Sequence, residues 1–317
     1  MSDNATQAEI DAIYSLHEPL YTGVAWTTVS ASVVQLMFLA FQVCERDTQT
    51  DTQSVTEEIL KPVNLLIFFM ILTNLGSCVL YSPLTSALPF NLTFATSQVL
   101  GSLFQIIMMF YTWVRGRPVI LAIAPSSTKT CFIVLHFYGI LVSIATTLSI
   151  YCSISYEDTT LLYYAFNILS DLCSAVMIAF DIFVLTLYVL YMRQVHSDSH
   201  ARDMSRRLHV ISTFGAVTTV WNLLWQMEGD VATYVESSNT VAYWTMNLAL
   251  NALYLLMPPV YLFIQLAMKE ALYRTKMMEV EQKLATVDRA REMAHQNGFP
   301  AQQSSKLSES GGVKSRS

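Results

Sequence analysis

Long apolar stretches alternate with short polar ones along the whole chain. Seven of the apolar stretches reach about 20 residues or more, which is the length that a helix needs to cross a hydrocarbon core. They are approximately Thr22–Cys44, Pro62–Tyr81, Phe94–Val114, Thr130–Cys152, Leu161–Met192, Leu208–Met227 and Thr240–Met268. This pattern predicts an all-α membrane protein, a bundle of seven transmembrane helices.

Composition supports a membrane protein. Of the 317 residues, 53% are hydrophobic and 13% are charged, whereas soluble domains have about 25% charged residues. Neither 62–114 nor 130–192 contains a lysine or arginine. The lipid bilayer is therefore an expected partner, and no nucleic acid is.

The basic residues predict the orientation. All 18 lysines and arginines fall on one side of the seven-span map, and basic loops favour the cytoplasmic side. Two glycosylation sequons, at Asn4 and Asn91, fall on the opposite side. We expect the N-terminus outside and the C-terminus in the cytosol, most simply at the plasma membrane. The predicted parts are an extracellular tail 1–21, the bundle 22–268, a cytoplasmic helix 269–296 and a disordered tail 297–317.

The predicted outer side carries nine acidic residues and no basic one. This field would concentrate cations at the outer end of the bundle. The acids also fit a second interpretation, in which they only solvate short loops. Cys78 and Cys152 lie near the outer ends of their spans, and they either pair or remain two separate thiols.

The fifth span contains two acids, Asp171 and Asp181. At about 100° per residue they share one stripe of the helix with Asn167 and with Tyr163 or Tyr164. Acids within a membrane are costly and face the interior of a bundle. Because no predicted span contains a lysine or arginine, three roles stay open. The acid is protonated, it binds a cation or a proton in transit, or it makes an interhelical hydrogen bond.

The last span has a polar seam as well. Its members recur at spacings of three and four residues and are Tyr243, Asn247, Asn251, Tyr254, Pro258 and Tyr261. Trp221 in the sixth span and Gln98 and Gln105 in the third are candidates to face it. If these seams converge, they form a polar and aromatic pocket. Aromatic residues at span ends also form interfacial belts.

Several features resemble G-protein-coupled receptors. The run Met257-Pro258-Pro259-Val260-Tyr261 is similar to their N-P-x-x-Y motif, with Met257 in place of the asparagine, and the segment that starts at Lys269 resembles their eighth helix. The run Val114-Arg115-Gly116-Arg117 occupies the place of their D/E-R-Y motif. The sixth span has no proline, and the second span has no aspartate. The resemblance implies a divergent receptor with a heterotrimeric G protein as its partner.

The predicted function is therefore a receptor that senses an extracellular ligand, of cationic or amphiphilic type, and signals through its cytoplasmic face. The ligand-binding candidates are Asp171, Asn167, Tyr163, Tyr164, Trp221, Asn247 and Asn251. The switch and coupling candidates are Asp181, Arg115, Arg117, Arg206, Arg207, Tyr254, Pro258 and Tyr261. The alternatives are a cation or proton transporter or channel that uses Asp171 and Asp181, and an assembly protein. No cofactor or metal is expected, and no motif for catalysis is present.

The cytoplasmic segment after Met268 has one further pattern. Tyr273, Met277, Val280, Leu284 and Val287 form an apolar stripe with helical spacing. The stripe is shorter than a typical coiled coil. A helix on the inner leaflet and a helix that continues into the cytosol both fit it.

Overall fold

The described part of the chain is helical. The computed structural model describes residues 7–47, 60–80, 89–154, 160–195, 202–236 and 241–296, which contain seven α-helices and no strand. The helices are α1 (Gln7–Phe41, followed by a π-helical turn Gln42–Asp47), α2 (Pro62–Leu80), α3 (Phe90–Ile123), α4 (Ser127–Ile154), α5 (Thr160–Val195), α6 (Arg202–Glu236) and α7 (Val241–Gln296). The prediction of an all-α fold is confirmed.

Six of these helices are long and apolar enough to cross a membrane: all except α6. At most 50% of the apolar window in each is buried within the protein. Leu161 is 80% exposed, Met37, Ile133 and Ile168 are each 67% exposed, and many other large apolar side chains are exposed as well. Apolar surface on this scale needs a hydrocarbon environment. The chain thus has the architecture of an integral membrane protein.

Helix α6 is less apolar because its inward face is polar. Ser212, Thr218, Thr219 and Asn222 are all buried, and α6 packs against α5. Several of its apolar residues face outward, with Val217 48% exposed and Val220 56% exposed, although Trp225 is buried.

Three predicted spans end well before the helices that contain most of their residues: the third, the seventh, and the sixth, which was expected to end at Met227 although α6 continues to Glu236. The third span was expected to end at Val114, but α3 continues to Ile123 and therefore includes Arg115 and Arg117. The sequence interpretation ended the span at its first charge. The helix continues past this charge although Pro118, which lies inside it, cannot donate a backbone hydrogen bond to the carbonyl of Val114. Similarly, α7 is uninterrupted beyond Met268.

The core lies where α1 to α7 face one another, and Leu39 of α1 belongs to it. Its largest fully buried side chains include Tyr111, Tyr138, Tyr188 and Tyr261, so much of the core carries a polar group within an apolar ring. Gly116 allows α3 to approach α5 closely, because a Cβ at this position would lie 2.8 Å from Cγ1 of Val184. None of the five cysteines forms a disulfide, so Cys78 and Cys152 do not pair.

The chain divides into two compact units, Met1–Leu272 and Tyr273–Ser317. The first unit contains α1 to α6 and the larger part of α7. In the second unit, the described residues form the remainder of α7, which ends at Gln296.

Candidate functional site

Asp181 of α5 is buried and has polar partners from two other helices. Its side chain is 7% exposed. The Nδ2 of Asn222, on α6, donates a hydrogen bond of 2.6 Å to its Oδ2, and the side chain of Thr112, on α3, is a second hydrogen-bonding partner. The carboxylate therefore links α3, α5 and α6, at a position where hydrocarbon alone would be very unfavourable.

Arg115, on α3, carries a positive charge that acts on this acid. It is half-buried and close enough to Asp181 for the two charges to attract each other. Its Nη1 donates to Oε1 of Gln265 at 3.2 Å, and Gln265 in turn donates to Oγ1 of Thr218 at 3.0 Å. The guanidinium carbon lies 5.8 Å from the centre of the Tyr111 ring. The Nε atom of Arg115 is buried and has no hydrogen-bonding partner.

These groups form one interhelical assembly, which we call the polar cluster. Its members come from α3, α5, α6 and α7 and are Thr112, Arg115, Asp181, Thr218, Asn222 and Gln265. A further hydrogen bond joins two of the helices directly, because the Tyr188 hydroxyl donates to the backbone oxygen of Arg115 at 2.6 Å. Chemically, the cluster offers two opposite charges held within hydrogen-bonding side chains, which is an arrangement suited to holding helices in one relative position.

The proline pair of α7 is held from two sides. Pro258 and Pro259 have no backbone N–H, so the helix loses hydrogen bonds in this turn. Nε1 of Trp221, on α6, donates to the oxygen of Met257 at 3.1 Å. Nε2 of Gln35, on α1, donates to the oxygen of Pro259 at 2.7 Å. A weakened turn is therefore fixed by side chains from two neighbouring helices.

A polar cavity of about 240 Å³ lies between α3, α4, α5 and α7. Its lining contains two amides, several hydroxyls, two sulfur atoms and no charged side chain. The lining residues are Gln98, Ser102, Gln105, Tyr138, Val142, Ala145, Thr146, Phe166, Ser170, Cys173, Ser174, Met177 and Tyr254. The hydroxyls of Ser102 and Thr146 contact each other across the α3–α4 boundary. The composition of this lining suits a small uncharged molecule that forms hydrogen bonds.

An aromatic cluster lies between the cavity and the polar cluster. It comprises Phe104, Trp225, Tyr254 and Tyr261. The ring centres of Trp225 and Tyr254 are 5.9 Å apart, and Phe104 lies 6.2 Å from both Trp225 and Tyr261. Tyr254 lines the cavity, while Tyr261 hydrogen-bonds with Thr112 of the polar cluster. Packed side chains thus run without a gap from one site to the other.

Known proteins supply no relative. No family model, curated protein or solved structure matches this chain. The assignment of a function consequently rests on the geometry described above and on the sequence patterns.

The ligand-binding residues expected from sequence are not those that line the cavity. Asp171, Tyr163 and Tyr164 are exposed, and Asn167 is half-buried. On the same helix the cavity is lined by Phe166, Ser170, Cys173, Ser174 and Met177. Trp221 holds the Met257 carbonyl instead. The side chains of Asn247 and Asn251, and that of Tyr243, lie outside the described residues. Binding of a ligand by the expected set stays a prediction.

The switch residues divide into buried and exposed groups. Arg115 is close enough to Asp181 for their charges to interact, so a basic side chain does reach one of the two acids although none lies within the predicted spans. This pairing was not expected, because the predicted span ended at Val114 and α3 continues past it. Arg117 and Arg206 are exposed, and Arg207 is half-buried. Tyr254 lines the cavity rather than the inner network, and Tyr261 is fully buried. Asn91 is exposed at the start of α3, while Asn4 lies outside the described residues.

Several site residues were missed in the sequence. Thr112, Thr218 and Gln265 join the polar cluster, and Ser170 and Ser174 line the cavity. Helical spacing was the available signal. Tyr111 and Arg115 lie four residues apart, Thr218 and Asn222 lie four apart, and Tyr261 and Gln265 lie four apart, so each pair marks the inward face of its helix.

Metal binding has no support in the described part of the chain, where no three histidine, cysteine, aspartate or glutamate side chains are grouped so that they could hold an ion.

Proposed function

We propose that this protein is a seven-span membrane receptor, with its N-terminus outside, that binds a ligand within the bundle and signals to a heterotrimeric G protein in the cytosol. The observation that carries the proposal is the unbroken series of contacts from the polar cavity, through the aromatic cluster, to the polar cluster. A binding site and a bistable polar element joined by packed side chains are the parts that such a receptor needs.

We count α6 as a membrane span, in addition to the six apolar helices, because of its environment. Its inward residues pair with Asp181 and Gln265, so they are not exposed to lipid. The positive-inside pattern then assigns Arg117, Arg206 and Arg207 to the cytosolic side. In this orientation the cavity lies toward the outer half of the bundle, because Gln98 is near the start of α3 and Arg115 is toward its end.

The mechanism that we infer is a population shift between two packings. A ligand in the cavity contacts Tyr254 and displaces the aromatic cluster against Tyr261. The proline turn of α7 has fewer backbone hydrogen bonds than an ordinary turn, so the displacement is absorbed there. The hydrogen bonds of Thr112, Arg115 and Asp181 then rearrange, and the cytosolic ends of α3 and α6 separate to admit the partner.

A cation or proton transporter remains the alternative, and Asp181 would be its site. The carboxylate already has two hydrogen-bonding partners and a nearby guanidinium group. Transport would require it to exchange these partners for an ion in each cycle. A carboxylate held by these partners fits a conformational lock better than a transit site.

The test uses cells that co-express the protein with individual G proteins, and it measures nucleotide exchange against a panel of small ligands. We expect at least one ligand to promote exchange. Gln105→Leu, which removes an amide from the cavity, should reduce the potency of that ligand by roughly tenfold, equivalent to about 1.4 kcal/mol. Pro258→Ala should reduce the maximal response at normal surface expression.

Asp171→Asn is the matched control, because Asp171 is a polar residue of α5 outside the cavity. If Asp171→Asn lowers potency and Gln105→Leu does not, the cavity is not the ligand site. If no G protein responds, and a measurable ion or proton flux is lost in Asp181→Asn, the protein is a transporter instead.

A further inference from the structure

The last part of α7, within the unit Tyr273–Ser317, carries an apolar stripe that its own unit leaves open. Val280 is 42% exposed, Leu284 is 58% exposed and Val287 is 49% exposed. They alternate at spacings of four and three residues with Met277 before them. Each therefore occupies an a or d position of a heptad, with Met277 and Leu284 at a and Val280 and Val287 at d.

The charges beside this stripe select what covers it. In a parallel coiled coil a residue at g faces the residue five positions later, at e, on the neighbouring helix. Here Lys276 faces Glu281 and Lys283 faces Asp288, so both pairs have opposite charges. In an antiparallel coil g faces g and e faces e, which would place lysine against lysine and acid against acid. The pattern is complementary to itself in the parallel arrangement.

We propose that the stripe is an interface with a second copy of this chain, formed as a short parallel coiled coil from Met277 onward. Two copies that span one membrane share one orientation, so both cytoplasmic helices begin on the same side of the membrane, which is compatible with a parallel pair. The coil is short, and Arg291 occupies the next a position, so the isolated segment would associate weakly. Confinement of both copies to one membrane raises their effective concentration and favours the contact.

Charged residues surround the stripe and disfavour its burial in lipid. Both signs occur within a short interval, with Glu281 and Asp288 negative and Lys283, Arg289 and Arg291 positive. A helix that lies on an anionic leaflet has basic residues over its polar face instead. The mixed pattern is that of a helix paired with protein.

Disulfide trapping of the full-length protein in native membranes tests the proposal. The background is Cys44→Ser, because Cys44 is the exposed one of the five native cysteines. In it, Leu284→Cys places a thiol on the stripe, and Gln282→Cys places one on the opposite face as the matched control. With a copper oxidant, we expect the Leu284→Cys variant to form covalent dimers at least fivefold faster than the Gln282→Cys variant.

A charge exchange identifies the partner as a second copy. In the Leu284→Cys background, Lys283→Glu should slow dimer formation severalfold, and adding Asp288→Lys should restore it. Equal trapping at both positions, or no rescue by the double exchange, would overturn the proposal. Protection of the Leu284→Cys thiol from a water-soluble maleimide, without trapping, would show that the stripe lies on the bilayer. The result does not depend on signalling, so it stands or fails separately from the receptor function.

Discussion

The polar cluster makes a prediction about stability that uses two matched pairs of residues. Arg115 and Arg117 are two residues apart on α3, but Arg115 is half-buried within the cluster and Arg117 is exposed. Asp181 and Asp171 share α5, and only Asp181 is buried. Arg115→Gln and Asp181→Asn each remove one charge while leaving its opposite behind. Arg117→Gln and Asp171→Asn remove the same charges from exposed positions.

Removing one partner of a buried charge pair costs about 3–5 kcal/mol, because the other charge remains desolvated. Arg115 is only half-buried, so we expect the lower end, about 3 kcal/mol, for Arg115→Gln. Asp181→Asn should cost about as much, because Arg115 then loses its counter-charge, although the amide preserves the shape. The exposed controls should change the free energy of unfolding by less than about 0.5 kcal/mol. The double variant should be less destabilised than the sum of the two, with a coupling energy of about 1–3 kcal/mol.

Unfolding of the purified protein in mixed detergent micelles, followed by intrinsic tryptophan fluorescence, measures these free energies. The wild type, Arg115→Gln, Asp181→Asn and the double variant form one thermodynamic cycle. Arg117→Gln and Asp171→Asn are its controls. If Arg115→Gln is no more destabilising than Arg117→Gln, the argument that Arg115 is a structural part of the cluster is refuted. If the two buried substitutions are strictly additive, the charges do not interact and the cluster is held by its neutral hydrogen bonds alone.

Two further predictions concern packing and topology. Gly116→Ala should destabilise the protein by about 1–3 kcal/mol, because the new methyl group meets the stiff side chain of Val184. Gly139→Ala should stabilise the protein by about 0.5–1 kcal/mol, since a Cβ at Gly139 meets nothing within 4 Å and alanine favours the helix. A thermal unfolding assay compares the two variants, and equal effects would contradict the α3–α5 contact. An Asn91→Gln variant should migrate faster than the wild type on a gel, and the difference should disappear after treatment with a glycosidase. A protease that reaches a C-terminal tag from outside intact cells would contradict the orientation.

The positions of the helices could be read from the sequence, but the inward face of α5 could not. The apolar blocks predicted each helix of the bundle, because long uncharged stretches have few alternatives. The sequence interpretation centred the inward face of α5 on its polar residues. The residues that are actually buried, from Cys173 to Tyr188, centre about 90° to one side of Asn167. Asp171 lies about 40° to the other side, so it faces away from the core, while Asp181 lies about 40° to the buried side, at the edge of the buried arc. Only the packing of neighbouring helices distinguishes these two acids.

The partners of Arg115 explain both how α3 carries an arginine within the bundle and why α6 is polar. Ending a span at its first arginine is sound when that arginine faces lipid or water, but here Asp181 and Gln265 supply its partners. Those partners in turn need donors and acceptors from a fourth helix, which Asn222 and Thr218 provide. The residues that lower the apolar character of α6 are therefore the same residues that allow two opposite charges to remain within the bundle. Replacing them with aliphatic residues would make α6 a more obvious span and would leave Asp181 without its closest hydrogen bond.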